Sequence, residues 1–161
     1  MTGRPRVVLV PGALALLPEH ASLTDPLTDL RAAAVAAVRW LGPEAEVVGD
    51  AQGERVAAAL MDAAGVRRGG AAAYLVVGNG SAKRSEKAPG HLDERSFGFD
   101  DALRDALVAG DLAGMDWSLA DDLWASVDGL RRAVDLIGGP ATVDYDDDPY
   151  GVQYWVMRWG S

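Results

Sequence analysis

Short apolar runs and apolar positions at helical spacing alternate along this chain. Arg6 to Val10 is β-branched and apolar and stops at Pro11-Gly12, which predicts a first strand. Ala13 to Leu17 is apolar without a clear period. A helix is predicted from near Thr24-Asp25-Pro26, where a capping residue precedes a proline in the first turn. Leu27, Leu30, Ala34, Val38 and Leu41 follow at three- and four-residue steps and give that helix one buried face, ended by Gly42-Pro43. Glu46 to Gly49 reads as a second strand and Glu54 to Ala64 as a second helix closed by Gly65. The uniformly apolar Ala72 to Val77 predicts a buried third strand at the sheet centre.

Beyond it, Gly78 to Ser96 is long and aperiodic, the pattern of a functional loop or lid. Phe99, Leu103 and Leu107 predict a third helix with Asp100 and Asp101 near its start. A fourth short helix is expected from Asp116 or Ser118 through Trp124, and a fifth from Val127 to Ile137. Ala141 to Asp144 and Val152 to Trp159 read as an antiparallel pair joined by an acidic turn from Tyr145 to Gly151. The predicted fold is a single α/β domain over residues 1–161: a central, mostly parallel or mixed sheet flanked by helices, with a C-terminal antiparallel hairpin.

Composition narrows the function classes. Twenty-four carboxylates against 15 cations leave a net charge of −9, which disfavours nucleic acid and anionic membrane as partners. The absence of cysteine excludes disulfides, thiolate zinc sites, iron–sulfur clusters and cysteine nucleophiles. Neither a signal-peptide core nor a membrane-length apolar run is seen, so the expected location is the cytoplasm.

The loop Gly78 to Gly90 concentrates Lys83, Arg84 and Lys87 just past the predicted central strand, where open α/β sheets place ligands. It matches neither the P-loop nor the dinucleotide fingerprint. Two readings stand: an anion cradled by loop amides and these cations, or a structural loop whose cations pair with Glu86, Asp93 and Glu94. The run Asp144, Asp146, Asp147, Asp148 has the oxygen donors a hard cation needs, but no calcium-loop spacing is present and the expected account is a solvated turn, where Asp is favoured for local backbone bonding. His20 and His91, the two histidines, would need a carboxylate such as Asp147 to complete an iron triad. Trp124, Trp155 and Trp159 fall on apolar faces and read as core or subunit interface.

Three blocks together resemble the class III extradiol ring-cleavage dioxygenase superfamily, in its LigB-like catalytic-subunit branch. Pro11 to Glu19 is similar to the family's first loop. Gly78 to Arg84, with Ala88-Pro89-Gly90 and Phe99 to Leu103, is similar to its Gly-Asp-Leu-Ser-His block and following helix. Asp147 to Tyr154 is similar to its terminal Glu-x-Pro-Phe-Gly-Val-Gly-Tyr hairpin. The likeness is closest from Gly78 onward and resembles that of short actinobacterial members. The resemblance implies a non-haem ferrous iron held by two histidines and a glutamate. Here the first histidine's place falls at Gly12, the second has no counterpart near Gly49 to Ala51, the glutamate's place is Asp147, and the acid–base histidine's is Ala82.

The expectation is therefore a degenerate LigB-like domain without cofactor or ring cleavage. It would bind a small, anionic molecule or a protein partner through Gly12, Asn79, Ser81, Lys83, Arg84, Lys87, Asp147 and Tyr150. Alternatives are an enzyme of changed chemistry centred on Ser81, Lys83 and Asp147, and a ring-cleaving dioxygenase with a metal site relocated to His20 or His91. A further one is a subunit that completes a homo-oligomer or a partner through Val152, Tyr154, Trp155, Val156 and Trp159.

Overall fold

The computed structural model describes residues 4–17, 27–70 and 72–160. In chain order the elements are β1 (Arg6–Val10), α1 (Thr28–Trp40), β2 (Glu44–Val48), α2 (Ala51–Ala64), β3 (Arg67–Arg68), β4 (Ala73–Val77), α3 (Arg95–Ala109), α4 (Asp128–Arg132), β5 (Thr142–Asp147) and β6 (Tyr154–Trp159). The six strands form one mixed sheet in the order β3-β2-β4-β1-β6-β5. β1, β2, β3 and β4 run parallel, while β6 is antiparallel to both β1 and β5. This is an α/β domain with a C-terminal hairpin, and β4 shares the sheet centre with β1.

The run of apolar residues in each central strand is explained by a core on both sides. Val8 and Val10 of β1, Leu75 and Val77 of β4 and Val156 of β6 join the buried faces of α1 and α2. Their alternates Val7, Leu9, Val76, Trp155 and Met157 pack with Phe99, Leu103 and Leu107 of α3 and with Leu130 of α4. The predicted stripe of α1 is buried throughout, Leu27 and Leu41 included. Asp50 caps α2 by accepting the Gly53 amide at 2.7 Å, and Gly65 ends it in the left-handed conformation.

Several expectations need correction. The capping residues near Thr24 lie outside the described residues, and α2 starts three residues before Glu54. The two-residue strand β3 was not foreseen, because Arg67-Arg68 is exposed and carries no apolar signal. Residues 117–124 form turns instead of a helix, and the Val127 to Ile137 helix shrinks to the five residues of α4. β5 extends through Asp147, so Asp144, Asp146 and Asp147 are strand residues and the turn begins later. Val152, Tyr154, Trp155, Val156 and Trp159 are buried in the core of this chain. They are consumed by the fold and offer no subunit interface. The Trp159 indole donates to Leu107 O at 3.0 Å, whereas the buried Trp155 indole N–H has no partner among the described residues. No helix among those residues is long and apolar enough to cross a membrane.

The short α4 sits directly on the ends of β2 and β4. A Cβ added at Gly129 would lie 2.5 Å from Val77 O and 2.8 Å from Val48 O, both backbone atoms that cannot step aside. Gly129→Ala is therefore expected to lower stability by about 2 kcal/mol or more through overpacking, read as a lower urea midpoint. Gly98, within α3 and with nothing within 4 Å of its added Cβ, is the opposite case: Gly98→Ala should raise stability by about 0.5–1 kcal/mol in the same assay.

Candidate functional site

The parallel strands β1 and β4 are neighbours and end at the same sheet edge. The α1 and α2 layer packs on one face there and the α3 and α4 layer on the other, which is the switch point where doubly wound sheets form a crevice. Gly12 follows β1 at these strand ends and is buried. Its amide donates to Asn79 Oδ1 at 3.2 Å, and its carbonyl accepts from Gln52 Nε2 at 2.5 Å, so segments after β1, β2 and β4 meet at one residue. A Cβ at Gly12 would make only ordinary contact, 3.5 Å from Val77 and 3.8 Å from Asn79. The position has room for a side chain and does not carry one.

The loop after β4 is packed into the protein instead of opening as a cradle. Residues 78–82 are all buried. The Gly78 amide donates to Val10 O, Asn79 to Ser126 O, Gly80 to Gln153 O, Ala82 to Leu123 O, Arg84 to Gly151 O and Gly90 to Ala82 O, each at 2.9–3.1 Å. Amides bonded within the protein cannot also receive an anion. The backbone-cradle reading is narrowed on this ground to the amides of Lys83, Ser85, Glu86 and Lys87.

The centre of the loop is a carboxylate that the sequence placed near a helix start. Asp100 is 2% exposed within α3. It accepts the Ser81 amide at 2.8 Å, the Ser81 hydroxyl at 2.6 Å and Arg84 Nη1 at 3.1 Å. Arg84 also donates through Nε to Asp148 at 2.7 Å and lies over the Phe97 ring, 4.8 Å from its centroid. Burial pushes the Asp100 carboxyl above the ordinary carboxylate range, against the pull of the Ser81 and Arg84 donors. The acid rises beside a cation because it has lost nearly all its hydration, whereas the Arg84 side chain, 17% exposed, keeps some. Burial acts to lower Arg84, and its bonds to Asp148 and Asp100 outweigh that, leaving it raised.

Lys83 takes a different route. Its ammonium stands over the Trp124 ring, 5.3 Å from the centroid. Trp124 is 56% exposed, so its reading as core is corrected. Its φ is 58°, in the left-handed region. Ala125 N bonds Ala120 O and Trp124 N bonds Asp121 O, the paired bonds of a Schellman turn whose left-handed position ordinarily carries glycine. Trp124 occupies it. This turn also explains why residues 117–124 do not continue as a helix.

The other predicted residues are spread around this frame. Lys87 and Tyr150 are exposed, and the exposed Asp147 accepts the amide of Asp148 at 2.8 Å. The hairpin that carries Asp147 and Tyr150 joins the loop through the Arg84–Asp148 pair. Thus Gly12 meets Asn79, and Ser81 meets Arg84 at Asp100, while Lys83 turns toward Trp124. The cations do not pair with Glu86 or Glu94: Arg84 holds Asp100 and Asp148, and Asp93 is bonded by Arg95 at 2.7 Å. The acidic run does not cluster. Asp144 pairs with Arg158, Asp146 with Arg104 and Asp148 with Arg84, and no group of three metal-ligating side chains forms among the described residues. His91 is exposed with Nδ1 3.3 Å from Glu86 O; His20 lies outside the described residues.

Gln52, Asp100, Trp124 and Gln153 were not read as site residues. Asp100 had a signal, since it sits three and seven residues before Leu103 and Leu107 on the buried stripe. No protein-family model matches this chain, and no curated protein is similar to it in sequence.

The network makes a signed pH prediction. Arg84→Met leaves Asp100 buried with one charged partner fewer and frees Asp148. Because the folded pKa of Asp100 is raised, its neutral form lends stability at acid pH, and that contribution is lost as pH rises through the folded value. The variant should lose about 3 kcal/mol at pH 7 and clearly less at pH 4, measured by urea denaturation at both values. An equal loss at the two pH values would show that the charge pair is not the cause.

Proposed function

We propose that this chain is a LigB-like α/β domain that does not cleave aromatic rings and instead binds a small anionic molecule beside Lys83 and Trp124. The observation that carries the binding reading is Trp124 itself. A bulky residue in the left-handed conformation costs about 1–2 kcal/mol relative to glycine, and such strain concentrates at functional positions. Here it holds the most exposed large apolar side chain among the described residues under a lysine ammonium. Lys87, in the loop, and Tyr150, in the hairpin turn, are exposed as well. Arg84 is occupied by two carboxylates, so Lys83 and Lys87 supply the charge.

The residues present do not fit the iron site that the family resemblance implies. Gly12 offers no donor, Ala82 is a buried methyl whose amide is bonded to Leu123, and Asp147 is an exposed strand residue. A lone carboxylate is a weak iron ligand set. The alternative centred on Ser81, Lys83 and Asp147 meets a separate obstacle. Ser81 is fully buried, and its hydroxyl proton is directed at Asp100 at 2.6 Å.

Two measurements test the proposal. Trp124→Gly should raise the melting temperature by relieving the left-handed strain. It should also abolish chemical-shift changes on titration with benzoate, the anionic probe, and Lys83→Met should weaken them at least fivefold. Unchanged benzoate binding in both variants would overturn the binding site. Stoichiometric iron in protein purified without chelator, lost on mutation of His20 or His91, would overturn the loss of ring cleavage.

A further inference from the structure

A second concavity lies away from the strand ends, on the outer side of α3. Its cavity volume is about 520 Å³, within the range of small-molecule sites. Gly98, Ala102 and Ala106 recur at four-residue steps along α3 and make a low floor. Phe99, Met115 and Leu119 supply apolar walls. Nothing lies within 4 Å of a Cβ built at Gly98, so the floor is open.

The charge on this cavity has one sign. Its charged lining residues are Asp111 and Asp116. Asp116 accepts the Ser118 amide at 3.0 Å and Asp111 the Ala113 amide at 3.3 Å. Neither has a cationic partner among the described residues, although Asp144, Asp146 and Asp148 are each held by an arginine. Hydrogen bonds from Ser118, backbone first, keep Asp116 below the usual carboxylate range, so it stays ionised at neutral pH. Arg4 lines an adjoining cavity with Asp111 without an ion pair between them, which leaves Asp116 as the stronger cation-binding group.

We infer that this cavity is a binding site for a small organic cation, an apolar body carrying one ammonium group. The body would lie on the Gly98–Ala102–Ala106 floor against Phe99, Met115 and Leu119, with the ammonium at Asp116. An anion of the same shape would meet two uncompensated carboxylates, and a neutral analogue would forgo the charge interaction.

The test titrates the full chain, labelled for NMR, with phenethylamine, with 3-phenylpropionate as its anionic counterpart and with ethylbenzene as the neutral one. The expected result is saturable shift change at Ala102, Met115 and Leu119 with the amine, at least tenfold weaker with the other two. Asp116→Asn, which preserves an acceptor for the Ser118 amide, should weaken amine binding at least fivefold and remove most of its salt dependence. Gly98→Leu fills the floor at a position with open space around it, and should abolish binding while leaving the melting temperature equal or higher. The assignment is overturned by amine binding that survives Gly98→Leu, by equal binding of the anion, or by no saturation with amine up to 10 mM.

Discussion

One buried carboxylate anchors the loop that follows β4 to the helix behind it. Asp100 is nearly without solvent, and a carboxylate in that position is tolerated only where donors surround it. The donors come from the loop after β4, through the Ser81 amide and hydroxyl, and from Arg84, which also grips Asp148 in the hairpin turn. Gln153 completes the weave by donating its amide to Ser81 O and its side chain to Asp146. Asp100 thus ties α3 to the loop, and Arg84 with the backbone bonds at Gly80, Arg84 and Gln153 ties the loop to the hairpin. The same arrangement uses up the amides of residues 78–82 and 84.

The parts of the fold legible in the sequence are those decided by burial. β1, β4 and β6 are apolar on both faces because both faces are covered, and α1 shows its buried stripe at helical spacing. The parts that were not legible are decided by something other than burial. β3 is two exposed arginines that pair only because β2 is already in place. Residues 117–124 carry helical spacing, yet their chain turns left-handed at a tryptophan, and nothing in that side chain's chemistry announces the turn. Asp100 is legible as a residue near a helix start but lies within the helix, since α3 begins at Arg95, ahead of Phe99, the first apolar position of its stripe.

The acidic run shows how a compositional signal can dissolve on folding. Strand geometry and a bulge between Val143 and Tyr145 separate the carboxylates along β5. Arg158, Arg104 and Arg84 then reach them from β6, α3 and the loop. β5 is an edge strand, and charge along an exposed edge opposes pairing with another chain. The charges that suggested a cation site in the sequence are consistent with that protective role, and most of them are already neutralised from within.

Strain separates what the fold needs from what it merely carries. Trp124 and His91 are the two non-glycine residues with positive φ among those described, and Trp124 lies under the Lys83 ammonium. The Lys83 stem runs so close to Gly90 that an added Cβ there would sit 2.6 Å from its Cγ, and its ammonium ends over Trp124. A glycine at position 124 would satisfy the turn with less strain, because the turn requires only its two backbone bonds. What the tryptophan adds is a ring beneath a cation at the surface, next to a buried network that keeps the loop from moving. Stability alone does not account for that combination, and the proposed recognition at Lys83 would use it.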